Sequence, residues 1–130
     1  MDRLFLDANV LFSAAWREES GLLRLWDLPD VKLLTSTYAV EDARINLRTP
    51  TQRLRLASLV ERVETISAMQ SVRLPIGAIL PAKDQPILSG AIQANASHLI
   101  TGDKERFGRF FGRKVLGVTV LPPGEYLRRR

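Results

Sequence analysis

Four acidic residues stand where alternating strands and helices would bring them to one edge of a sheet. Asp7 directly follows the apolar run Leu4-Phe5-Leu6, and Asp103 follows Ser97-His98-Leu99-Ile100-Thr101 after a single residue, Gly102. Asp84 sits where the amino end of a helix is expected, and Glu41 lies in the first turns of another. Carboxylates held close together raise one another's pKa and disfavour the fold unless a cation neutralises them. Hard oxygen donors of this kind suit Mg²⁺ or Mn²⁺, whereas zinc prefers nitrogen and sulfur. Magnesium keeps several waters and takes only one or two carboxylates directly, which leaves the other acids to hold coordinated waters. An ion so held can polarise a phosphate, lower the pKa of bound water or clamp both oxygens of a displacement. The four acids have the chemistry for metal-dependent phosphodiester hydrolysis.

Taken singly, each acid also has a structural account. Asp7 and Asp84 are natural helix N-caps, and Asp103 beside Gly102 suits a turn. Glu41 can pair at i+3 with Arg44, which on an exposed face contributes only about 0.2–0.5 kcal/mol. These accounts explain each position alone and leave their gathering at one rim unexplained.

The elements that must position the acids follow from apolar periodicity. Five strands are expected, at residues 4–6, 31–35, 63–66, 97–101 and 115–121. Helical spacing is read at 10–16, 22–26, 38–48, 56–63 and 87–94, with a short helix at 104–111 and one terminal turn at 125–127. Ser36 is a plausible N-cap, Val40, Ala43 and Leu47 make one helix face, and Pro50 opens the next helix after Thr49. The breaker-rich stretch 74–81 reads as a loop. Asp84 then caps a helix with Pro86 in its first turn, in which small residues at Gly90, Ala91 and Ala94 allow close approach to a sheet. Alternation of this kind predicts an α/β fold with a mostly parallel sheet covered on both faces. Right-handed crossovers put every parallel strand's carboxyl end on one side, where ligands of open sheets bind.

The whole chain has the proportions of one soluble domain: 130 residues, 45% hydrophobic and 25% charged. Charged residues interrupt every apolar run well short of the roughly 20 residues needed for a membrane span. The opening residues lack a secretory apolar segment, so a cytoplasmic location is expected. There is no cysteine, hence no disulfide and no thiolate site, and the single histidine, His98, excludes a multi-histidine metal centre. The formal net charge is +5, with 15 arginines against 4 lysines, a balance suited to a polyanionic partner. Arg44 and Arg48 after Glu41, and Lys104, Arg106 and Arg109 after Asp103, are the candidate phosphate contacts. Arg128-Arg129-Arg130 reads as a flexible basic end that adds salt-sensitive affinity. Trp16 and Trp26 are expected in the core or a dimer interface rather than as base-stacking residues, and His98 in a structural or surface role rather than as a catalytic base.

Several stretches resemble the PIN-domain ribonuclease family. Leu6-Asp7-Ala8-Asn9-Val10-Leu11 is similar to its opening motif, and Tyr38-Ala39-Val40-Glu41-Asp42-Ala43 to its acidic helix. Lys83-Asp84-Gln85-Pro86-Ile87-Leu88, followed by His98-Leu99-Ile100-Thr101-Gly102-Asp103-Lys104, resembles its most specific signature. The ending, Val118 to Pro123 with Glu125-Tyr126-Leu127, is also similar, so the likeness runs from Arg3 to Leu127. The resemblance implies a three-layer α/β/α fold with a five-stranded, mostly parallel sheet. It implies Mg²⁺- or Mn²⁺-dependent cleavage of single-stranded RNA, with Asp7, Glu41, Asp84 and Asp103 as the acidic quartet. Asn9 and Thr101 match polar positions that orient a carboxylate or water. Because Asp42 follows Glu41 at once, which of the two points inward stays open, with Glu41 favoured if Val40 and Ala43 are buried. Family members of this length are often toxins of toxin–antitoxin pairs (the VapC type), homodimeric and held inactive by a small antitoxin.

Two other Mg²⁺-using α/β folds fit less well. A receiver domain wants adjacent acids after its first strand, and an aspartyl phosphatase wants Asp-x-Asp; Asp7-Ala8-Asn9 supplies neither. A domain that keeps the fold and binds RNA or a partner without catalysis is the remaining alternative.

Overall fold

The computed structural model describes residues 1–67, 80–81 and 85–130. Its strands are β1 (Asp2–Leu6), β2 (Val31–Ser36), β3 (Glu64–Ile66), β4 (His98–Ile100), β5 (Lys114–Val115) and β6 (Val118–Leu121). Its helices are α1 (Ala8–Trp16), α2 (Thr37–Asn46), α3 (Pro50–Glu61), α4 (Gln85–Gln93), α5 (Lys104–Phe107) and α6 (Pro123–Arg128), with 3₁₀ turns at Gly21–Asp27 and Gly108–Phe110. The sheet runs β3-β2-β1-β4-β6-β5 and is flanked by helices in the expected three layers. All neighbours are parallel except the β5–β6 pair.

Among the described residues the sheet therefore has six strands where five are expected. The stretch 115–121 is not one strand. It folds back at Leu116-Gly117, both with positive φ (50° and 87°), and so adds a short antiparallel edge. The region 22–26 likewise forms a 3₁₀ turn, in which Ser20 caps the Leu22 N–H.

Covering both sheet faces dictates continuous apolar strands, because neither side of such a strand meets water. Leu4, Phe5 and Leu6 are accordingly all fully buried, as are Leu34, Leu99 and Ile100. Helix α4 can lie on the sheet only because Gly90 lacks a side chain: a Cβ there would stand 2.9 Å from Phe5 Cζ. Helix starts follow local chemistry. Ser36 Oγ accepts the Ala39 N–H at 3.1 Å, and Thr49 forms a reciprocal capping box with Gln52 ahead of Pro50.

The order of strands reverses at β1: the chain builds outward through β2 and β3, then returns to place β4 on the other side. A crevice opens at such a switch point, beyond the carboxyl ends of β1 and β4. Asp7 follows β1 and Thr101-Gly102-Asp103 follows β4.

Arg128 and Arg129 both pair with Glu125 and Arg130 pairs with Asp30, so the expected free basic end is corrected to a folded one. Trp26 is buried, with its indole N–H donating to the Leu59 carbonyl at 3.1 Å, whereas Trp16 is 40% exposed and not a core residue. His98 packs edge-on against Tyr126, whose hydroxyl donates to Asp2 at 2.6 Å on the opposite rim from the acids. No helix among the described residues is long and apolar enough to cross a membrane.

Candidate active site

The crevice holds a cavity of about 280 Å³ lined by Asp7, Asn9, Phe12, Asp42, Asn46, Asp103 and Arg106, among others. Asp7 is its floor. The backbone N–H of Asp7 continues the sheet by donating to the Ile100 carbonyl at 3.0 Å, which places the side chain just past β4. That side chain is only 2% exposed. Its Oδ1 accepts the Ala8 N–H at 2.6 Å, so Asp7 does cap α1. Its Oδ2 accepts the Thr101 hydroxyl at 2.7 Å and the Asn9 amide at 3.0 Å. Capping and site-building are thus two jobs of one residue.

Asn9 and Thr101 form a brace across the switch point. The Asn9 amide nitrogen also donates to Thr101 Oγ1 at 3.2 Å, and Asn9 Oδ1 accepts the Gly102 N–H at 2.9 Å. Thr101 Oγ1 in turn accepts the Asp103 N–H at 3.1 Å. Asp7, the N-cap of α1, and Asn9 in its first turn are thereby locked to three residues that follow β4. Asp103 caps α5 through the Arg106 N–H at 3.1 Å and pairs with the Arg106 guanidinium at 3.3 Å.

Burial pushes the Asp7 carboxyl above its ordinary range, and the negative charge of Asp103 adds to that rise. The Thr101 hydroxyl, the Ala8 N–H and the Arg106 charge oppose it. An anionic Asp7 is thus held at a cost that a nearby cation would offset.

The acidic helix is arranged differently from the expectation. Asp42, not Glu41, lines the Asp7 cavity. Glu41 is exposed on the far side and engages Arg44 through two hydrogen bonds, 2.6 and 2.9 Å, which hold its carboxyl below the usual range. The Glu41–Arg44 pair anticipated from i+3 spacing therefore forms, and it takes Arg44 with it. Asn46 is an additional residue of the wall, one turn beyond Asp42, whose carbonyl accepts its amide at 2.7 Å. Its signal in the sequence is only that spacing.

Of the expected phosphate contacts, Arg106 reaches the cavity wall. Lys104 is exposed at the start of α5, and Arg109 stacks over Phe110 at 5.1 Å. Arg48 lies beyond the end of α2, not within it, and is exposed. Asp84 lies outside the described residues.

The donor set fits a hard divalent ion in kind. Asp7 Oδ1 has one donor partner and keeps a lone pair, and Asp103 and Asp42 face the same volume. Among the described residues no three His, Cys, Asp or Glu side chains close on one point for a metal, so the convergence of four acids is not seen there. One or two carboxylates with coordinated water is the arrangement Mg²⁺ ordinarily takes, and a cavity of about 280 Å³ has room for those waters.

Sequence comparison gives the family: the PIN domain matches residues 3–105, nearly all the strands and helices that build the crevice. The chain belongs to the PIN-domain family. No protein of curated function matches it. In fold it is similar to a chain of the crystal structure of VapBC2 from Rickettsia felis bound to a DNA fragment from their promoter. The two are 15% identical with a TM-score of 0.69, over 92% of this chain and 98% of the other. A chain of VapBC-1 from nontypeable Haemophilus influenzae is 18% identical with a TM-score of 0.62, covering 94% and 98%. The PIN-domain membership and these likenesses agree with the three-layer fold expected from the sequence.

Proposed function

We propose that this PIN domain is a Mg²⁺- or Mn²⁺-dependent endoribonuclease acting on single-stranded RNA, and the toxin of a toxin–antitoxin pair. One observation carries the reading: a carboxylate at the switch point is buried, braced by Asn9 and Thr101, and faces two further acids across a cavity with room for several waters. Such an arrangement is costly in a protein that does not use it.

An ion held between Asp7 and Asp103 would supply Lewis-acid polarisation of the scissile phosphate and a lowered pKa for attacking water. The remaining work falls to the chain itself. Asn9 and Thr101 fix the plane of the Asp7 carboxylate. Asp42 stands where it can orient a water or accept its proton, the role expected of Glu41. Asp84, the fourth acid of the family motif, completes the set. Arg106 offsets the repulsion between the acids and the RNA backbone, with Lys104 and the other exposed cations drawing the polyanion in.

The net charge of +5 supports an RNA substrate. Likeness to chains of two VapBC structures supports a small antitoxin partner, and a homodimer in the cytoplasm fits the same reading. A small upstream gene encoding a DNA-binding fold would support the toxin role, and its absence would favour a solitary nuclease.

The test compares wild type with Asp7→Asn on end-labelled single-stranded RNA, each with Mn²⁺ and with EDTA. Cleavage by wild type with Mn²⁺ alone is expected. Equal degradation in every lane would assign the activity to a contaminant, and intact RNA throughout would leave a binding domain without chemistry.

A further inference from the structure

The acidic cavity does not end at its own walls. Phe12, on one side, is shared with a second cavity of about 410 Å³, whose lining includes Trp16 and Arg17. Asp42, on another element, is shared with a third cavity of about 490 Å³ lined by Thr37, Tyr38, Glu41 and Ile45. Each flanking cavity carries one exposed aromatic ring. Trp16 is 40% exposed and Tyr38 is 42% exposed, while Trp26 and Tyr126 are buried at 6% and 3%. Solvent contact is thus confined to the one Trp and the one Tyr that adjoin the acids.

Both rings sit one helical turn from the shared residue. Trp16 follows Phe12 at i+4 on α1, their ring centroids 5.1 Å apart, and Tyr38 precedes Asp42 at i−4 on α2. Residues so spaced lie on one face of a helix, roughly 6 Å apart along its axis. The platforms are firmly based. The Trp16 carbonyl accepts from Gln52 at 3.2 Å and from Arg55 at 3.1 Å, and Ser36 caps the first turn of the helix that carries Tyr38. Arg17 lines the Trp16 cavity, and the acid that lines the Tyr38 cavity beside Asp42, Glu41, has its charge paired with Arg44.

We infer that Trp16 and Tyr38 are stacking platforms for the two bases that flank the scissile phosphodiester of a single-stranded RNA. The inference rests on the ribonuclease reading above and extends it to substrate positioning. An unpaired strand offers a planar face at every nucleotide, whereas paired bases keep their faces stacked inside the duplex. Two aromatic rings on either side of the acidic cavity therefore select single strands and set the register of the phosphate over Asp7.

Binding is read apart from cleavage, with the full-length chain in EDTA and a fluorescein-labelled single-stranded oligoribonucleotide. Trp16→Ala and Tyr38→Ala are each expected to weaken binding about tenfold, within the range measured for loss of one stacked base. Trp16→Phe and Tyr38→Phe retain most of the affinity, which separates stacking from any structural loss. A second probe carries abasic nucleotides at the two central positions. It binds wild type about a hundredfold more weakly than the natural RNA does, matching the natural RNA on the double variant Trp16→Ala/Tyr38→Ala, which loses nothing further on it, while each single variant loses about tenfold more. Unchanged affinity in both alanine variants, while wild type still binds and cleaves RNA, overturns the inference and leaves the ribonuclease reading standing. So does a shift from dimer to monomer in Tyr38→Ala with RNA affinity intact, which would give that face to a second copy. Weaker binding of a partner peptide with unchanged RNA affinity would equally reassign the surface. Absence of RNA binding and cleavage by wild type removes both readings together.

Discussion

Thr101 Oγ1 stands 2.7 Å from Asp7 Oδ2 and, from its other side, accepts the Asp103 N–H at 3.1 Å. One buried hydroxyl thus sets the positions of two acids that follow different strands. Thr101→Val keeps the shape and deletes the hydroxyl, leaving the Asp103 N–H without that acceptor and Asp7 with one donor fewer. Unsatisfied buried polar groups cost about 1–3 kcal/mol, and that loss is expected in urea denaturation. Loss of a bracing partner typically lowers metal affinity or activity about 10- to 100-fold, and RNA cleavage should fall accordingly. Thr101→Ser restores the hydroxyl and should recover most of both. A valine variant equal to wild type in stability and cleavage would show that the brace is idle.

The pH dependence of stability should carry the signature of Asp7. Burial raises its folded-state carboxyl above the ordinary 3.8, so the folded chain retains a proton that the unfolded chain has released. Its contribution to stability is therefore fully present below about pH 3.8 and is lost as pH rises through the raised folded value. In EDTA, wild type is expected to lose stability relative to Asp7→Asn across that rise, as followed by thermal melts from acid to neutral pH. Adding Mn²⁺ at neutral pH should restore wild type alone, by about 2.7 kcal/mol when the ion is at a hundred times its Kd. Parallel pH profiles for the two proteins, or an equal response to the ion, would remove Asp7 as the group responsible.

Gly90 tests how closely the helical layer sits on the strand that ends at Asp7. A methyl group there meets the Phe5 ring at 2.9 Å, and Phe5 is fully buried with no room to yield. Overpacking of this kind costs about 1–3 kcal/mol, against at most about 1 kcal/mol gained from the better helix propensity of alanine. Gly90→Ala is expected to be net destabilising in urea. Gly21→Ala, where nothing lies within 4 Å of the added methyl group, is its neutral control. A stabilised Gly90→Ala would mean that helix and strand are not in close register.

What the sequence reveals of this fold depends on how local the governing physics is. Asp7 and Asp103 end apolar runs, and a buried parallel strand is an apolar run, so their place on the rim is legible. Ser36 is equally legible because a cap is decided within three residues. The split of 115–121 into two strands is not, since its turn uses Leu116 at φ 50°, a residue that seldom adopts that conformation and gives no turn signal. Trp16 misleads for a different reason. Its apolar neighbours Ala14 and Ala15 are indeed buried, but it ends α1 at the mouth of a cavity whose other wall is the turn that follows at Ser20 to Leu22.

The choice between Glu41 and Asp42 turns on where the centre of the buried face of α2 lies. With Val40 and Ala43 as that face, its centre falls midway and the two acids are about equally far from it at roughly 100° per residue. In the structure Ala39 and Ala43 are buried and Val40 is only half-buried, which rotates the centre toward Ala39. Glu41 then stands about 180° from the centre and Asp42 only about 80°, so Asp42 flanks the cavity. Asp42→Asn should therefore lower RNA cleavage about 10- to 100-fold, the effect expected of a group beside a metal shell, with the melting temperature little changed. Glu41→Gln, which only loosens an exposed pair with Arg44, should leave kcat within about twofold and stability little changed. Single-turnover cleavage with Mn²⁺ reads the difference directly. If Glu41→Gln abolishes cleavage while Asp42→Asn does not, α2 must turn in the working enzyme to bring the other acid inward, and the arrangement of this cavity is not the catalytic one.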